Sequence, residues 1–302
     1  KAGYRVLVPV ANPARAKALI DFAAMVAKAR DGEVVLLHVI SVPRQTPLEV
    51  GREYIREAYA EVLDEATIAL EGRGVRSSSS IRIAHKPAEA IIHEVEDRDI
   101  DMVVLGWRGE ARHPRTALGS NIDWVMRAAP AEVVVLRADD LDGVERVLIP
   151  VAYPRQAHAM IKLGQLFEAE RGSEIDLLHV LPPKLDEGAR TERLDELYDE
   201  LEDLGVASLV SGAARPLRTM EEEDVPTAIA REASAYDLTL VGAAREGLLH
   251  RLVLGTRPEQ VARKSPGRLL LYKQRRHPVH SRILDTLDFF RTGEAPSSRA
   301  EP

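Results

Sequence analysis

Three glycines placed around a basic segment form the pattern in this sequence best suited to binding an anion. Gly106-Trp-Arg-Gly109 is followed by nine residues and then by Gly119-Ser120-Asn121. Glycine lets the backbone approach a bound group closely and adopt positive φ, and the N–H groups at the start of a helix attract negative charge. The Ser120 hydroxyl can donate to the same anion or cap the helix that follows. The pattern predicts a phosphate-binding loop, unless the glycines serve only as turn residues and Ser120 only as a cap.

This loop is basic although the chain as a whole is acidic. It contains a single acid, Glu110, against four basic residues, Arg108, Arg112, His113 and Arg115. The 302-residue chain has 48 acidic and 41 basic residues and a formal net charge of -7. This balance argues against a general nucleic-acid-binding protein, which needs a basic face. The loop also lacks the Gly-Lys-Ser/Thr ending of a Walker A motif and the GxGxxG pattern.

Other residues that could do chemistry are few. There is no cysteine, which excludes thiolate catalysis and cysteine-based metal sites. His38 and His179 hold equivalent positions in predicted strands and indicate packed side chains, and the serine run 77–80 indicates a loop. Trp107 and Trp124 can stack on a base or simply pack. With no candidate general base and no metal-ligand spacing, the sequence does not indicate an enzyme.

The chain contains two copies of one sequence pattern. Arg5–Pro13 returns as Arg146–Pro154, and Glu33–Val39 returns as Glu174–Val180, both 141 positions further on. Later matches are 136 positions apart, so the second copy is five residues shorter in its middle. We expect a first domain over 1–140, a second over 141–273 and a tail over 274–302. The tail is expected to form a short helix whose apolar face docks on the body or a partner, followed by a disordered end.

In each copy, short apolar runs alternate with segments of helical spacing. The runs lack strict alternation, which is typical of strands buried on both faces of a parallel sheet. Helical spacing occurs at 19–26 and 55–62, and again at 194–201 on a helix whose acidic face, 186–203, indicates solvent exposure rather than a metal or partner site. The alternation predicts an α/β protein made of two tandem doubly wound, five-stranded parallel-sheet, Rossmann-like domains. The strands expected in the first copy are 6–10, 34–40, 79–84, 102–105 and 133–136.

This combination resembles the universal stress protein family. The resemblance is carried by the glycine pattern after the fourth strand, the opening Val-Leu-Val-Pro-Val, the second-strand Leu-Leu-His-Val and the closing Ala-Pro-Ala-Glu-Val-Val-Val-Leu-Arg of 129–137. It covers roughly residues 4–137 and 145–273. The resemblance implies the strand order 3-2-1-4-5 in each unit, with the two units packed through their edge strands.

The resemblance also implies a ligand. Members of the ATP-binding branch hold adenine near the ends of the first two strands and the phosphates in the glycine loop, so ATP or another adenine nucleotide is the implied cofactor, with Mg²⁺ able to accompany it. The implied binding residues of the first unit are Pro9, Val10, Ala11, Val39, Leu105, Gly106, Arg108, Gly109, Gly119, Ser120 and Asn121. A second site is implied at Val180, Gly242, Arg245, Gly255 and Thr256.

Three positions depart from the family pattern. Ala11 and Ala152 stand where the ATP-binding branch usually has an acidic residue, so a side-chain acceptor for the nucleoside is missing; Asn12 is either its substitute or a turn residue. Arg245 replaces the second glycine of the later loop, where its side chain crowds an approaching phosphate, although the guanidinium can also bind one. We therefore expect the second site to be degenerate.

The opening Val-Pro-Val-Ala-Asn-Pro, the tandem arrangement and the first residue, Lys1 rather than Met, resemble the cytoplasmic regions attached to prokaryotic amino-acid permeases and cation antiporters. No apolar run is long enough to cross a bilayer. The leading expectation is a non-catalytic, cytoplasmic nucleotide sensor, tethered to the membrane if a transporter domain precedes it. The alternatives are a free-standing stress protein that slowly hydrolyses ATP and a ligand-free dimerisation scaffold. The expected protein contacts are between the two repeats or within a homodimer.

Overall fold

Ten β-strands run through both repeats of the chain. In the computed structural model the described residues are 3–58, 62–109, 118–151, 154–203, 217–242 and 257–275. The strands of the first repeat are β1 (Arg5–Pro9), β2 (Glu33–Ser41), β3 (Arg76–Ala84), β4 (Met102–Gly106) and β5 (Glu132–Arg137). Those of the second repeat are β6 (Arg146–Pro150), β7 (Glu174–Leu181), β8 (Leu217–Glu221), β9 (Leu238–Gly242) and β10 (Arg268–Lys273).

All ten strands belong to one sheet with the order β3-β2-β1-β4-β5-β10-β9-β6-β7-β8. Pairing is parallel within each repeat, and β5 pairs with β10 in the antiparallel direction. The α/β fold class, the strand order 3-2-1-4-5 and the packing of two units through edge strands are confirmed. The antiparallel junction places the carboxyl end of β5 beside the amino end of β10.

Helices cover both faces of this sheet. They are α1 (Lys17–Ala29), α2 (Ile55–Ala58), α3 (Asp64–Glu71), α4 (Pro87–Asp97), α5 (Ser120–Ala128), α6 (Pro154–Arg171), α7 (Glu187–Asp203), α8 (Val225–Ala233) and α9 (Arg257–Lys264). One hydrophobic core joins the sheet to α1, α3, α6 and α7, and a second joins it to α4, α5, α8 and α9. Alternate strand residues, such as Val6 and Leu7, belong to different cores, as a sheet covered on both faces requires.

The predicted helical face at 19–26 is confirmed. Leu19, Phe22, Ala23 and Val26 are all buried on α1. The face at 55–62 differs from the prediction, because α2 is only four residues long and Ile55 is 39% exposed. Residues 59–61 lie outside the described part of the chain.

The interpretation of Ser77–Ser80 as a loop is wrong. These serines lie within β3 and pair in parallel register with Val34–Leu37 of β2. The strand is at the edge of the sheet, where polar side chains are tolerated because their hydroxyls stay partly exposed. Because the serines are not hydrophobic, the sequence pattern did not indicate a strand here. The strand is held by backbone pairing with β2.

The two repeats also contact each other outside the strand junction. The rings of Phe22 on α1 and Phe167 on α6 stack with centroids 6.2 Å apart. Lys28 pairs with Glu170 at 3.0 Å along the same two helices. This packing and the shared strand pair hold the repeats in one arrangement.

Two further observations concern the described residues only. None of their helices is both long enough and apolar enough to cross a membrane. In the same part of the chain, no group of three or more His, Asp or Glu side chains is arranged to hold a metal ion. The acidic residues of α7 whose burial is described are exposed, as the solvated-face interpretation predicts.

Candidate functional site

A cleft of about 940 Å³ lies at the carboxyl ends of β1, β4 and β5. The order of the strands reverses between β1 and β4, which is where ligands bind in open α/β sheets. The segments after β1 and β4 line the cleft together with the start of α1. Tyr236, Asp237, Gly267 and Arg268 of the second repeat form another wall. They reach it because the antiparallel junction turns the amino ends of β9 and β10 toward the carboxyl end of β5.

Five of the residues that the family resemblance implied line this cleft, namely Pro9, Val10, Ala11, Gly106 and Arg108. Leu105 is buried in β4, and Val39 packs half-buried against the core on the α4 side of the sheet. Among the described lining residues, Gly109, Gly119, Ser120 and Asn121 do not occur. The middle of the loop, with Arg112, His113 and Arg115, lies outside the described residues.

Both ends of the loop have backbone conformations that favour glycine. Gly109 has a φ of +83° and Gly119 a φ of +121°. L-residues with a side chain rarely adopt these angles. A Cβ atom on Gly109 would lie 3.1 Å from Cδ of Arg137, whereas one on Gly119 would meet no atom within 4 Å. The glycine at 119 is thus required by conformation alone, and the one at 109 by conformation and a close neighbour.

The start of α5 differs from the simple cap interpretation. Ser120 is the first residue of the helix, Gly119 is the N-cap, and no side chain caps it. Instead Oδ1 of Asp123 accepts a hydrogen bond of 3.0 Å from the backbone N–H of Leu118. The Ser120 side chain is exposed and does not cap the helix. Sequence reasoning missed the role of Asp123, although an acidic residue in the first helical turn is a recognisable signal.

Two arginines at the cleft have no partner within the described residues. Arg15, which precedes α1, and Arg108 are exposed, and their guanidinium groups make no ion pair or hydrogen bond there. The other two arginines of the lining are engaged, since Arg137 donates to backbone carbonyls and Arg268 pairs with Asp140 at 2.8 Å. Sequence reasoning missed Arg15, although its place just after a strand end was a usable signal. The two free guanidinium groups suit an anionic ligand.

The two tryptophans near the loop differ in exposure. Trp107 is buried in the core on the α5 side of the sheet, and the Arg137 guanidinium lies 5.4 Å from the centroid of its ring. Its indole N–H is buried and has no hydrogen-bond partner in the part of the chain that the structure describes. Trp124 is 47% exposed on α5. The packing interpretation therefore holds for Trp107.

Equivalent histidines hold the loops that follow the first strand of each repeat. Nδ1 of His38 lies 2.8 Å from the carbonyl oxygen of Val10, and Nδ1 of His179 lies 2.7 Å from that of Val151. A protonated Nδ1 donates to the carbonyl in each case. Burial lowers the pKa of His179. Both side chains are structural, as their equivalent strand positions indicated.

The second repeat has a smaller cleft of about 570 Å³ at the ends of β6, β7 and β8. Val180 lines it, as do Lys184, Arg193, Glu222 and Glu223, so its charges are mixed. Gly242 ends β9 and is not among the described residues of that lining. Four other residues of interest in the second repeat lie outside the described residues. They are Arg245, Gly255 and Thr256 of the second implied site, and Ala152, which stands where the ATP-binding branch usually has an acidic residue.

Sequence comparison gives two informative relatives. The family model described as "Universal stress protein family" matches residues 4–137 and 143–273. A universal stress protein of Mycolicibacterium smegmatis is 24% identical over 302 residues, covering 90% of this chain and 98% of that protein. The Na(+)/H(+) antiporter NhaS5 of a Synechocystis strain is 24% identical over 274 residues. That match covers 89% of this chain and 38% of the antiporter, so the chain spans well under half of the antiporter's length.

Structural comparison finds the same fold in proteins of low sequence identity. A universal stress protein from Archaeoglobus fulgidus superposes with a TM-score of 0.65 at 20% identity, covering 89% of this chain and 96% of that one. The cytoplasmic domain of a prokaryotic cation chloride cotransporter superposes with a TM-score of 0.58 at 12% identity, covering 90% and 95%. Together with the two family matches, which account for most of the sequence, these findings identify the repeats. The chain belongs to the universal stress protein family and contains two tandem copies of its domain.

Proposed function

We propose that this protein is a non-catalytic regulatory module that binds an adenine nucleotide in the cleft of its first repeat and controls an attached membrane transporter. The observation that carries the nucleotide site is that Arg15 and Arg108 line the cleft together with Gly106 and that their guanidinium groups have no partner within the described residues. Exposed guanidinium groups with free donors form charge-assisted, bidentate hydrogen bonds to phosphate oxygens.

The shape of the cleft supports a ligand of this size. Its volume of about 940 Å³ lies within the range of small-molecule and cofactor sites. The positive φ of Gly109 and Gly119 at the ends of the neighbouring loop supports close approach of the backbone to phosphates. The adenine is proposed from the family pattern, with Val39 beside it.

The small, uncharged side chain of Ala11 is expected to lower the affinity for nucleotide. It lines the cleft where a nucleotide-binding relative would place an acidic side chain, so one hydrogen bond to the nucleoside is lost. A hydrogen bond to a charged group is worth about 1.5–3 kcal/mol. We therefore expect affinity on the order of tenfold or more below that of a relative with the acid, and Ala11→Asp is expected to raise it.

The link to a transporter rests on two relatives. The Synechocystis antiporter aligns with most of this chain over 38% of its own length, and a cation chloride cotransporter has a cytoplasmic domain of similar fold. We propose that a transporter domain accompanies this chain and that it lies on the cytoplasmic side of the membrane. Membrane helices encoded upstream of Lys1 in the genomic reading frame would support this part of the proposal, and a start codon there would contradict it.

Calorimetry on the full chain with ATP, ADP, AMP and cyclic dinucleotides tests the binding site. Arg15→Ala and Arg108→Ala are each expected to weaken binding about tenfold, because each removes a charge-assisted hydrogen bond. Arg127→Ala is the matched control, since Arg127 is also exposed and lies at the far end of α5. Absence of binding at millimolar nucleotide would leave the ligand-free scaffold as the better description.

A pair of glycine variants separates binding from stability. Gly119→Ala and Gly74→Ala both place a side chain at positive φ, +121° and +69°, with no atom within 4 Å of the new Cβ. Each is expected to destabilise the protein by about 1–2 kcal/mol. Only Gly119→Ala is expected to weaken nucleotide binding, because Gly74 lies between α3 and β3. Equal affinities in the two variants would contradict the loop's role.

A free-standing stress protein that binds and slowly hydrolyses ATP is the second candidate. The observation that favours it is the match to the Mycolicibacterium universal stress protein, which covers 98% of that protein. Steady phosphate release from ATP by the full chain, lost in Arg108→Ala, would support this candidate. Binding without turnover would support the regulatory module.

A further inference from the structure

Arg137, the last residue of β5, ties the first repeat to the second. Its guanidinium donates to the carbonyl oxygens of Ala262 at 2.7 Å, Ser265 at 2.6 Å and Gly267 at 3.0 Å. These carbonyls lie in the last turn of α9 and in the segment that leads into β10. The side chain therefore caps the carboxyl end of a helix that belongs to the other repeat.

The chemistry of this contact is that of a cation at a helix C-terminus. The final carbonyls of a helix lack intrahelical partners and carry partial negative charge. The three carbonyls supply the acceptors, and no carboxylate is bonded to Arg137 among the described residues. Burial lowers the pKa of the Arg137 guanidinium, which nevertheless stays protonated at neutral pH. The three bonds fix the head of this side chain firmly.

The stem of the same side chain lies against the glycine loop of the first repeat. A Cβ on Gly109 would come within 3.1 Å of Cδ of Arg137, and the guanidinium lies 5.4 Å from the Trp107 ring centroid. Arg137 also lines the first cleft. One side chain thus touches the start of the loop, the cleft and the second repeat.

We propose that Arg137 is a positioning residue that couples the glycine loop of the first repeat to α9 of the second. A displacement of the loop at Gly109 pushes on the Arg137 stem and loosens its bonds to the three carbonyls. If a nucleotide occupies the cleft, as the proposed function holds, its binding changes the docking of α9, and α9 in turn changes the affinity for nucleotide. The contacts of Arg137 are all made within the protein, so the coupling can be tested without nucleotide.

Lys273 supplies a matched control at the other end of the antiparallel pair formed by β5 and β10. It ends β10, as Arg137 ends β5, and its ammonium group donates to the carbonyl oxygen of Ala129 at 2.9 Å, just after α5. The antiparallel register places Lys273 opposite Val133, near the start of β5 and away from the cleft. Lys273→Met removes a bond between the repeats without touching the loop at Gly109.

The first test uses the full chain without ligand. Gly109→Ala is expected to raise backbone hydrogen exchange over residues 260–268 of the second repeat about tenfold, which corresponds to the loss of roughly one charge-assisted hydrogen bond. Gly74→Ala, with a similar φ and open space around its Cβ, is expected to leave that segment unchanged. Arg137→Met is expected to raise exchange there by itself and to abolish any further effect of Gly109→Ala. Arg137→Lys, which keeps the charge with fewer donors, serves if the Met variant does not fold.

The second test adds ATP at a concentration that calorimetry shows to be saturating. The wild type and Lys273→Met are expected to change exchange over 260–268 on binding. Arg137→Met, whose affinity for ATP is expected to differ because Arg137 lines the cleft, is compared at an ATP concentration that saturates the variant and is expected to lack that change. Absence of ATP binding would refute the proposed function, while the ligand-free test still decides the coupling. The coupling is overturned if Gly109→Ala affects residues 260–268 no more than Gly74→Ala does, or if Arg137→Met retains the response to ATP.

Discussion

Two tyrosines that share one carboxylate between the repeats make the stability of this protein sensitive to alkaline pH. Glu132 of β5 accepts hydrogen bonds from Tyr4 of the first repeat at 2.6 Å and from Tyr272 of the second at 2.7 Å. Burial raises the pKa of both phenols well above the usual range, and the negative charge of Glu132 raises it further. The folded protein therefore keeps two protons that the unfolded chain loses.

The sign and size of the effect follow from linkage. Since the folded-state pKa values are raised, the tyrosines' contribution to stability is fully present below about pH 10 and is lost as pH rises. Above that pH each tyrosine lowers the free energy of unfolding by about 1.4 kcal/mol per pH unit. Tyr272→Phe removes one of these protons and is expected to make the slope shallower by that amount.

Urea unfolding followed by circular dichroism, at several values between about pH 10 and 11, measures the slope. Tyr54→Phe is the control, because the Tyr54 side chain is 51% exposed, whereas the tyrosines bonded to Glu132 are Tyr4 and Tyr272. It is expected to keep the wild-type slope. Equal slopes for Tyr272→Phe and the wild type would refute the claim that this buried phenol keeps its proton.

Three further predictions concern buried side chains. Phe167→Ala should lower the free energy of unfolding by about 3–5 kcal/mol in urea titration, because the fully buried Phe167 ring stacks on Phe22. Glu94→Gln should cost about 3 kcal/mol by the same measurement, since this buried carboxylate pairs with Arg82 and Arg98. The lowered pKa of His179 means that its contribution to stability is present above about pH 6.5 and is lost as pH falls. His179→Asn, which keeps an N–H donor for Val151, should therefore reduce the loss of stability between about pH 7 and 5.

The sequence was sufficient to predict the strands and helices that have a clear hydrophobic pattern. The runs Val6–Val10 and Met102–Leu105 became central parallel strands, and Leu19, Phe22, Ala23 and Val26 form the buried face of α1. Hydrophobic periodicity is enough to predict these elements, because a sheet covered on both faces requires apolar strands and helices with one apolar face. The internal repeat then extended the same fold to the second half of the chain.

Features that depend on neighbours distant in sequence escaped prediction. The serines of β3 carry no strand signal, because an edge strand needs little apolar surface. The bonds from Arg137 to α9 and from Lys273 to Ala129 depend on the antiparallel register of β5 and β10, which leaves no local pattern. The residues of the second repeat that line the first cleft escaped prediction for the same reason, because the antiparallel pairing of β5 and β10 brings them there.

A crystal structure of the full chain, determined from crystals soaked in ATP, tests the nucleotide site most directly. The proposed site requires electron density for the phosphates between Arg15 and Arg108, beside Gly106 at the carboxyl ends of β1 and β4. An empty cleft at millimolar ATP, or one filled by side chains of residues 110–117, would contradict it.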